Sequence, residues 1–270
     1  MTLIPNINNM DLFIIGHQGE INPIEKWLLE MQYPWVNIHQ LNQFVENLIE
    51  AEKKYYNDHR EEFVPWSLKI YSHENCVLEP NVFSEGFIKI GYHTKVESSA
   101  YLKGNINIGD NCIIESGVRI TGNVVIGNNV HIYHGATITG SSPQTDMPQS
   151  VWIGNDVKVY QGSIIKASVV MDKSRIYSNC YIGASVVGKD VLIGSGTKMV
   201  DAKFRQKNQM IIIRHPQDPI NTELTKFGGA IGNGVEIGSN VTIYPGSLIL
   251  PGCGVIPNDT VQDIYDRKIK

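Results

Sequence analysis

From Ile90 to Ile138 an apolar residue returns at every sixth position: Ile90, Val96, Leu102, Ile108, Ile114, Ile120, Ile126, Ile132 and Ile138. Two places before the aliphatic stands a small or β-branched residue, as at Ala100, Cys112, Val118, Val124, Val130 and Ala136. Gly91, Gly109 and Gly127 directly follow an aliphatic, and Asn or Asp often comes next, as in Gly109-Asp110-Asn111. An isolated strand alternates with period two and an amphipathic helix with period 3.6, so a strict six is neither: it is a hexapeptide repeat. Three hexads close one triangular coil. The aliphatic and the small residue point inward, and Gly, Asn or Asp takes the corner, where φ > 0 is costly for other residues. The pattern predicts an all-β solenoid, a left-handed parallel β-helix with a small α-helical N-terminal region. Such a helix is an exception to the right-handed crossover rule.

Residues 1 to 77 do not follow the hexad rule and form a helical or capping region. Asp11 to Gly16 reads as a short strand, and Ile24 to Met31 has helical spacing after Pro23. Val36 to Tyr56 places Ile38, Leu41, Val45, Leu48 and Ile49 on one face, an amphipathic helix suited to capping or flanking the first coil. The solenoid is expected over 78–262. It is interrupted by a proline-bearing loop at 141–150 and by an excursion over 204–226, whose Met210-Ile211-Ile212-Ile213 run predicts a hairpin arm. The hexad resumes at Ile153, Val159, Ile165 and Met171, slips by one on two of the next three steps (Ile176, Ile182, Val187), and recovers at Ile193. Without the excursions the chain holds roughly eight coils of about 18 residues. The end, 263–270, reads as a basic solvated tail.

Composition narrows the function. A formal charge of -4 with no long basic run argues against a nucleic-acid partner. No apolar run reaches the roughly 18 residues of a membrane span, and the N-terminus lacks signal-peptide features, so the expected location is cytoplasmic. The four cysteines include no C-x-x-C pair. Cys76, Cys112 and Cys253 occupy the small inward slot, which is a packing role; Cys180 shares it if the register allows. No metal-ligand spacing is visible.

The second half adds a likeness. Ile165 to Met171, then Tyr181-Ile182-Gly183-Ala184-Ser185-Val186-Val187-Gly188, then Gly194-Ser195-Gly196-Thr197, an arm, and Lys226-Phe227-Gly228-Gly229-Ala230-Ile231-Gly232 form an ordered series. Over about 160–258 it resembles the acetyltransferase half of bifunctional sugar-1-phosphate nucleotidyltransferase/acetyltransferases. Hexapeptide β-helices are mostly acyltransferases, so the resemblance implies acetyl-CoA or another acyl-CoA as co-substrate and a homotrimer with sites between subunits. The family's basic residues fall on Lys166 and Lys226, its tyrosine on Tyr181 and its asparagine on Asp201. Its general-base histidine falls on Ser178, and an aspartate becomes Ala184. No Gly-rich nucleotide loop occurs in the first 77 residues, so nucleotidyl transfer is not expected.

Acyl transfer needs a base that titrates near neutrality, and two histidines qualify. His131-Ile132-Tyr133-His134 resembles the His-Ile-Ala-His run of the hexapeptide acyltransferases that begin lipid A synthesis, in which the second histidine is the base. His134 would sit by a corner and face out; the simpler reading is a solvated corner side chain. His215, beside Arg214 on the arm, is the other candidate, with the cationic arm suited to phosphate or CoA and an exposed turn as its plain alternative. The expected function is acyl-CoA-dependent transfer, most simply of acetyl, to a sugar, sugar phosphate or nucleotide sugar. The alternative is a catalytically degenerate homologue that binds a sugar phosphate or regulates a partner. Outward apolar residues such as Ile113 and Val125 fit faces covered by neighbouring subunits.

Overall fold

The computed structural model describes residues 23–30, 33–58, 64–67, 70–72, 75–140, 150–204, 209–215 and 218–268. The strand expected at Asp11–Gly16, the loop at 141–149 and His-Pro residue Pro216 lie outside them. The hexads wind into the parallel β-solenoid expected of a β-helix. One face is a nine-stranded parallel sheet of two-residue strands, from Val77–Leu78 through His131–Ile132 to Gly254–Val255. A second face stacks Thr137–Thr139, Ile164–Lys166, Tyr181–Gly183, Lys198–Met199, Thr242–Ile243 and Thr260–Val261. The third stacks Ser150–Ile153, Val169–Val170, Ser185–Val187, Gly229–Ile231, Ser247–Ile249 and Ile264–Tyr265. Every aliphatic of the opening hexad series lies in one buried column that runs the length of the molecule.

The corners split the work that the sequence assigns to glycine and asparagine together. Asn111, Asn129 and Asp156 take the left-handed backbone, with φ of 54°, 57° and 59°. The preceding glycines answer to a different constraint: a Cβ on Gly109 would stand 2.4 Å from Asn128 Oδ1 and 2.6 Å from the Gly127 carbonyl of the next coil. The same corner carries a ladder in which Asp110, Asn128, Asn155 and Asp172 each accept a backbone N–H from the coil before, at 2.7–2.8 Å. In the first coils the second and third faces are single eight-residue strands, such as Tyr101–Ile108, bent at Gly86, Gly104 and Gly122.

Four expectations are corrected. The register slip falls at the corner where Ala167 and Ala184 adopt φ of 48° and 45°; Val170, not Met171, is the inward residue, and Met171 faces outward into the helix packing. The solenoid begins earlier than Leu78, because Ile70–Ser72 already pairs in parallel with Phe83–Ile90. The C-terminal segment is not a free tail through 268: Ile264–Tyr265 adds a last rung, and Cys253 and Lys268 form an antiparallel bridge. The fourth concerns the helices.

Helices α1 (Pro23–Glu30) and α2 (Pro34–Asp58) form where the spacing predicted them. Of capping and flanking the first coil, α2 does the second: its Glu52 and Tyr56 meet Lys89 and Phe87. From there it runs along the outside of the third face to Gly229–Ile231, well beyond the first coil. That face is apolar on its outer side, and Val125, Trp152, Val169, Val186, Ala230 and Leu248 bury against Ile38, Leu41, Val45 and Ile49. Val125 is therefore covered by its own chain rather than by a neighbouring subunit. Phe44 sits between Trp27 and Trp152, and Ser150 donates to Asn42 Oδ1 at 2.8 Å.

Candidate functional site

Register fixes which side chains share a corner. His131 pairs with Lys158 and Lys158 with Arg175, so His134, Gln161 and Ser178 fall in one column between the first and second faces. His134 thus occupies the column of Ser178, the position at which the resembling family places its base, two rungs or roughly 10 Å along the axis. One residue earlier runs a second column: Glu79, Glu97, Glu115, Tyr133, Tyr160, Tyr177 and Gly194, joined by backbone hydrogen bonds between coils.

The glutamates of that column do one job three times. Glu79, Glu97 and Glu115 accept the N–H of Ser98, Ser116 and His134 at 3.0, 3.2 and 2.9 Å, so each carboxylate closes the corner turn of the next coil. Glu115 does more. Its Oε1 meets His131 Nε2 at 2.7 Å and its Oε2 lies 3.4 Å from His134 Nδ1. One carboxylate therefore stands between two imidazoles. Burial pushes the Glu115 carboxyl up, but the His134 N–H and the His131 ring outweigh it and hold the group below the usual carboxylate range. His134 itself is 65% exposed. The His131 ring stacks on Tyr133 at 3.8 Å, and Tyr133, Tyr160 and Tyr177 continue the stack at 4.6 and 4.8 Å. Glu115 was not among the residues singled out from sequence, although glutamate recurs there at 18-residue intervals, one coil apart.

The other candidates gather at the next corner. Tyr181 heads a strand of the second face, and burial, then the charge and hydrogen bond of Asp201, push its phenol up to about 12. The Asp201 carbonyl accepts the N–H of Phe227, which fixes the backbone beside Lys226. Lys166 is half-buried, and its carbonyl accepts from Ser168 Oγ and the Ala184 N–H. The excursion is a hairpin, Ile212–Ile213 against Ile220–Asn221, as expected. Its described part lies on its own chain: Ile211, Ile213, Leu224 and Phe227 are buried with α2, and Trp35 meets Phe227 edge-on at 6.2 Å. Arg214 is exposed with its N–H on Asp263 Oδ1 at 3.2 Å, and His215 beside it is half-buried. The structure thus separates His134 and Ser178 from Lys166, Asp201, Arg214, His215 and Lys226, with Tyr181 on the strand that joins the two corners.

Cys180 occupies the inward slot after all. It is buried, its thiol is pushed up to about 11 by that burial, and its Sγ faces the Gly194 carbonyl at 3.3 Å. A thiol in that state is a packing group, not a nucleophile. Among the described residues no helix is long and apolar enough to cross a membrane.

Parts of this chain are similar to known proteins. Residues 105–140 match the family described as bacterial transferase hexapeptide (six repeats), and residues 131–210 match the GlmU-like, C-terminal hexapeptide family. A bifunctional sugar-1-phosphate nucleotidylyltransferase/acetyltransferase of Sulfurisphaera tokodaii is 34% identical over 98 residues, 36% of this chain and 24% of that protein. Bifunctional protein GlmU of Methanococcus aeolicus is 30% identical over 110 residues, 38% of this chain and 26% of its own. The chain spans about a quarter of the length of these curated relatives. Among solved structures, an Arabidopsis UDP-N-acetylglucosamine acyltransferase is 14% identical, with a TM-score of 0.46, over 74% of this chain and 68% of its own. The hexapeptide-repeat similarity thus extends over residues 105–210, and its second part is to the GlmU-like type.

Proposed function

We propose that this protein transfers an acyl group, most simply acetyl, from acyl-CoA to a sugar, sugar phosphate or nucleotide sugar, with His134 as general base. The observation that carries the reading is the Glu115 carboxylate held between His131 and His134, 2.7 and 3.4 Å from their ring nitrogens. A carboxylate on one ring nitrogen fixes the imidazole's orientation and leaves the other nitrogen to take a proton. In the transfer, His134 Nε2 removes the proton of an acceptor hydroxyl or amine as that atom attacks the thioester carbon. The C–S bond then breaks, and the imidazolium returns the proton to the departing thiolate. Ser178 lies on the acceptor's side in the His134 column, and the separate corner of Lys166, Lys226, Arg214, Tyr181 and Asp201 supplies, from a neighbouring subunit, cations and polar groups for an anionic acceptor or for CoA.

An exposed His134 needs a cover that excludes water, and a homotrimer in a cytoplasmic setting supplies one from a neighbouring subunit. Ser178 at the expected base position supports a second reading, a non-catalytic sugar-phosphate binder. No pyrophosphorylase activity is expected in either case. The test is thiol release from acetyl-CoA with a panel of amino sugars, sugar phosphates and nucleotide sugars, alongside sedimentation. Turnover that vanishes in His134→Ala upholds the reading. Turnover that survives His134→Ala but not His215→Ala moves the base to the arm, and binding of a sugar phosphate with no turnover by the wild type upholds the second reading.

A further inference from the structure

The first face stops at Gly254–Val255, with which no further parallel strand pairs among the described residues. A strand in that position leaves N–H and C=O groups open and is a template for another chain. Here both groups of Gly254 find partners in residues 263–268. Gly254 donates its N–H to the Arg267 carbonyl at 3.0 Å, and its own carbonyl accepts from Tyr265 Oη at 2.9 Å. Cys253 and Lys268 pair antiparallel beside them. On the third face, Leu248 and Leu250 donate their N–H groups to the Asp263 and Tyr265 carbonyls at 2.7 and 2.9 Å.

Tyr265 closes the core as well as the edge. It follows Ile249 in register and so stands in the inward column, where the coils above carry Ile153, Val170, Val187 and Ile231. Its ring packs against the buried column while its hydroxyl reaches the first face, so one side chain spans the end of the coil. Burial pushes the phenol up, and the hydroxyl keeps the proton that it donates. Arg267 lies over the ring, 5.8 Å from its centre. Ile249, Val255 and Val261 behind the ring are buried.

Without the ring, this end has an apolar centre bordered by strand edges that carry both donors and acceptors. The surface that complements it is the same end of a second copy. Turned about a two-fold axis, the second copy's strands run antiparallel to the first, and each edge meets its own pattern. The opposite end of the stack does not offer this on the third face, because Ile70–Ser72 there is already covered by the antiparallel strand Val64–Ser67. We propose that residues 263–268 are a stopper that keeps this end of the solenoid from pairing with the same end of a second copy, with Tyr265 as its plug. The proposal rests on the fold alone and is independent of the acyl-transfer reading.

The test is sedimentation of the full chain and its variants over a concentration series, with circular dichroism to show that each is folded. Tyr265→Ala removes the plug, and its mass should rise to twice that of the wild type and stop there. Tyr265→Lys also removes the ring but sets a charge at the apolar centre, a device by which natural sheets block their edges, and should keep the wild-type mass. Tyr265→Phe keeps the ring and should keep that mass too. A chain cut after Ile264 replaces Tyr265→Ala if that variant does not fold, and should double its mass in the same way. An unchanged mass in the folded, unplugged chain overturns the proposal. So does growth beyond the doubled mass, which would bring in the opposite end. Equal association of Tyr265→Ala and Tyr265→Lys overturns it as well, since a loosened end would then be sticking without pairing.

Discussion

Replacing Glu115 separates a corner that is merely closed from one that places a base. Its two oxygens hold the His134 N–H at 2.9 Å and His131 Nε2 at 2.7 Å, with the side chain 22% exposed. A hydrogen bond to an ionised group contributes roughly 1.5–3 kcal/mol. Water can reach this corner and take over part of the lost bonding, so Glu115→Ala should cost about 1–3 kcal/mol in total. At about 2–4 °C per kcal/mol for a chain of this size, Tm should fall by roughly 2–12 °C. Glu115→Gln keeps an oxygen for the His134 N–H and should lose less than half of that. The pH dependence has a definite sign. A carboxyl whose folded pKa is depressed contributes stability that is present above its unfolded value, near about 4.3, and lost as pH falls through the folded pKa. The Tm gap between wild type and Glu115→Gln should therefore be present at about pH 5 and above and shrink below about 4. In the thiol-release assay, kcat should drop by about 10²-fold, the scale of a misplaced catalytic group, with KM little changed. A Glu115→Gln protein with wild-type Tm at every pH and wild-type kcat would refute the reasoning.

His134→Ala should lower the rate roughly 10²- to 10⁴-fold while changing stability by under about 0.5 kcal/mol, read by thiol release and by thermal melting. Leu41, fully buried between α2 and the third face, should cost about 2–5 kcal/mol on truncation to alanine, measured by urea unfolding. Gly104→Ala would set a Cβ 2.3 Å from the Gly122 carbonyl at φ of 129° and should cost about 2–6 kcal/mol. Gly135→Ala, with nothing within 4 Å of the new carbon, should cost only about 1–2 kcal/mol for its left-handed backbone; equal losses in the two would mean that interlocking of coils is not what selects glycine at Gly104.

The coil was legible because inward packing repeats without a miss from Ile90 to Ile138: each aliphatic there meets its counterparts one coil up and one coil down, so every sixth residue answers to the same constraint. The slip at Met171 was misplaced because Val169, Val170 and Met171 are all apolar, and periodicity alone does not say which of three consecutive apolar residues points in. Only the left-handed Ala167 decides it. Val125 was assigned to a subunit interface for a similar reason, since an outward apolar residue records that something covers it without naming the cover. The site was partly legible. His134, Tyr181 and Asp201 announce themselves by residue type, whereas Glu115 acts through neighbours 16 and 19 positions away that only the register brings together.

A solenoid couples each coil only to its neighbours, so on its own it would melt from either end one rung at a time. Helix α2 changes that. Made early in the chain, it touches strands from Tyr101–Ile108 to Gly229–Ile231, and so acts as a splint across most of the stack. Fraying of one rung then loosens the splint on all the others, and a linear array acquires the all-or-none unfolding of a globular domain. The same geometry sets an order of events. Because the helix leaves the ribosome before any coil it binds, its apolar stripe stays in water until the distant rungs arrive. Shortening α2 by its last turns should broaden the melting transition before it lowers the midpoint.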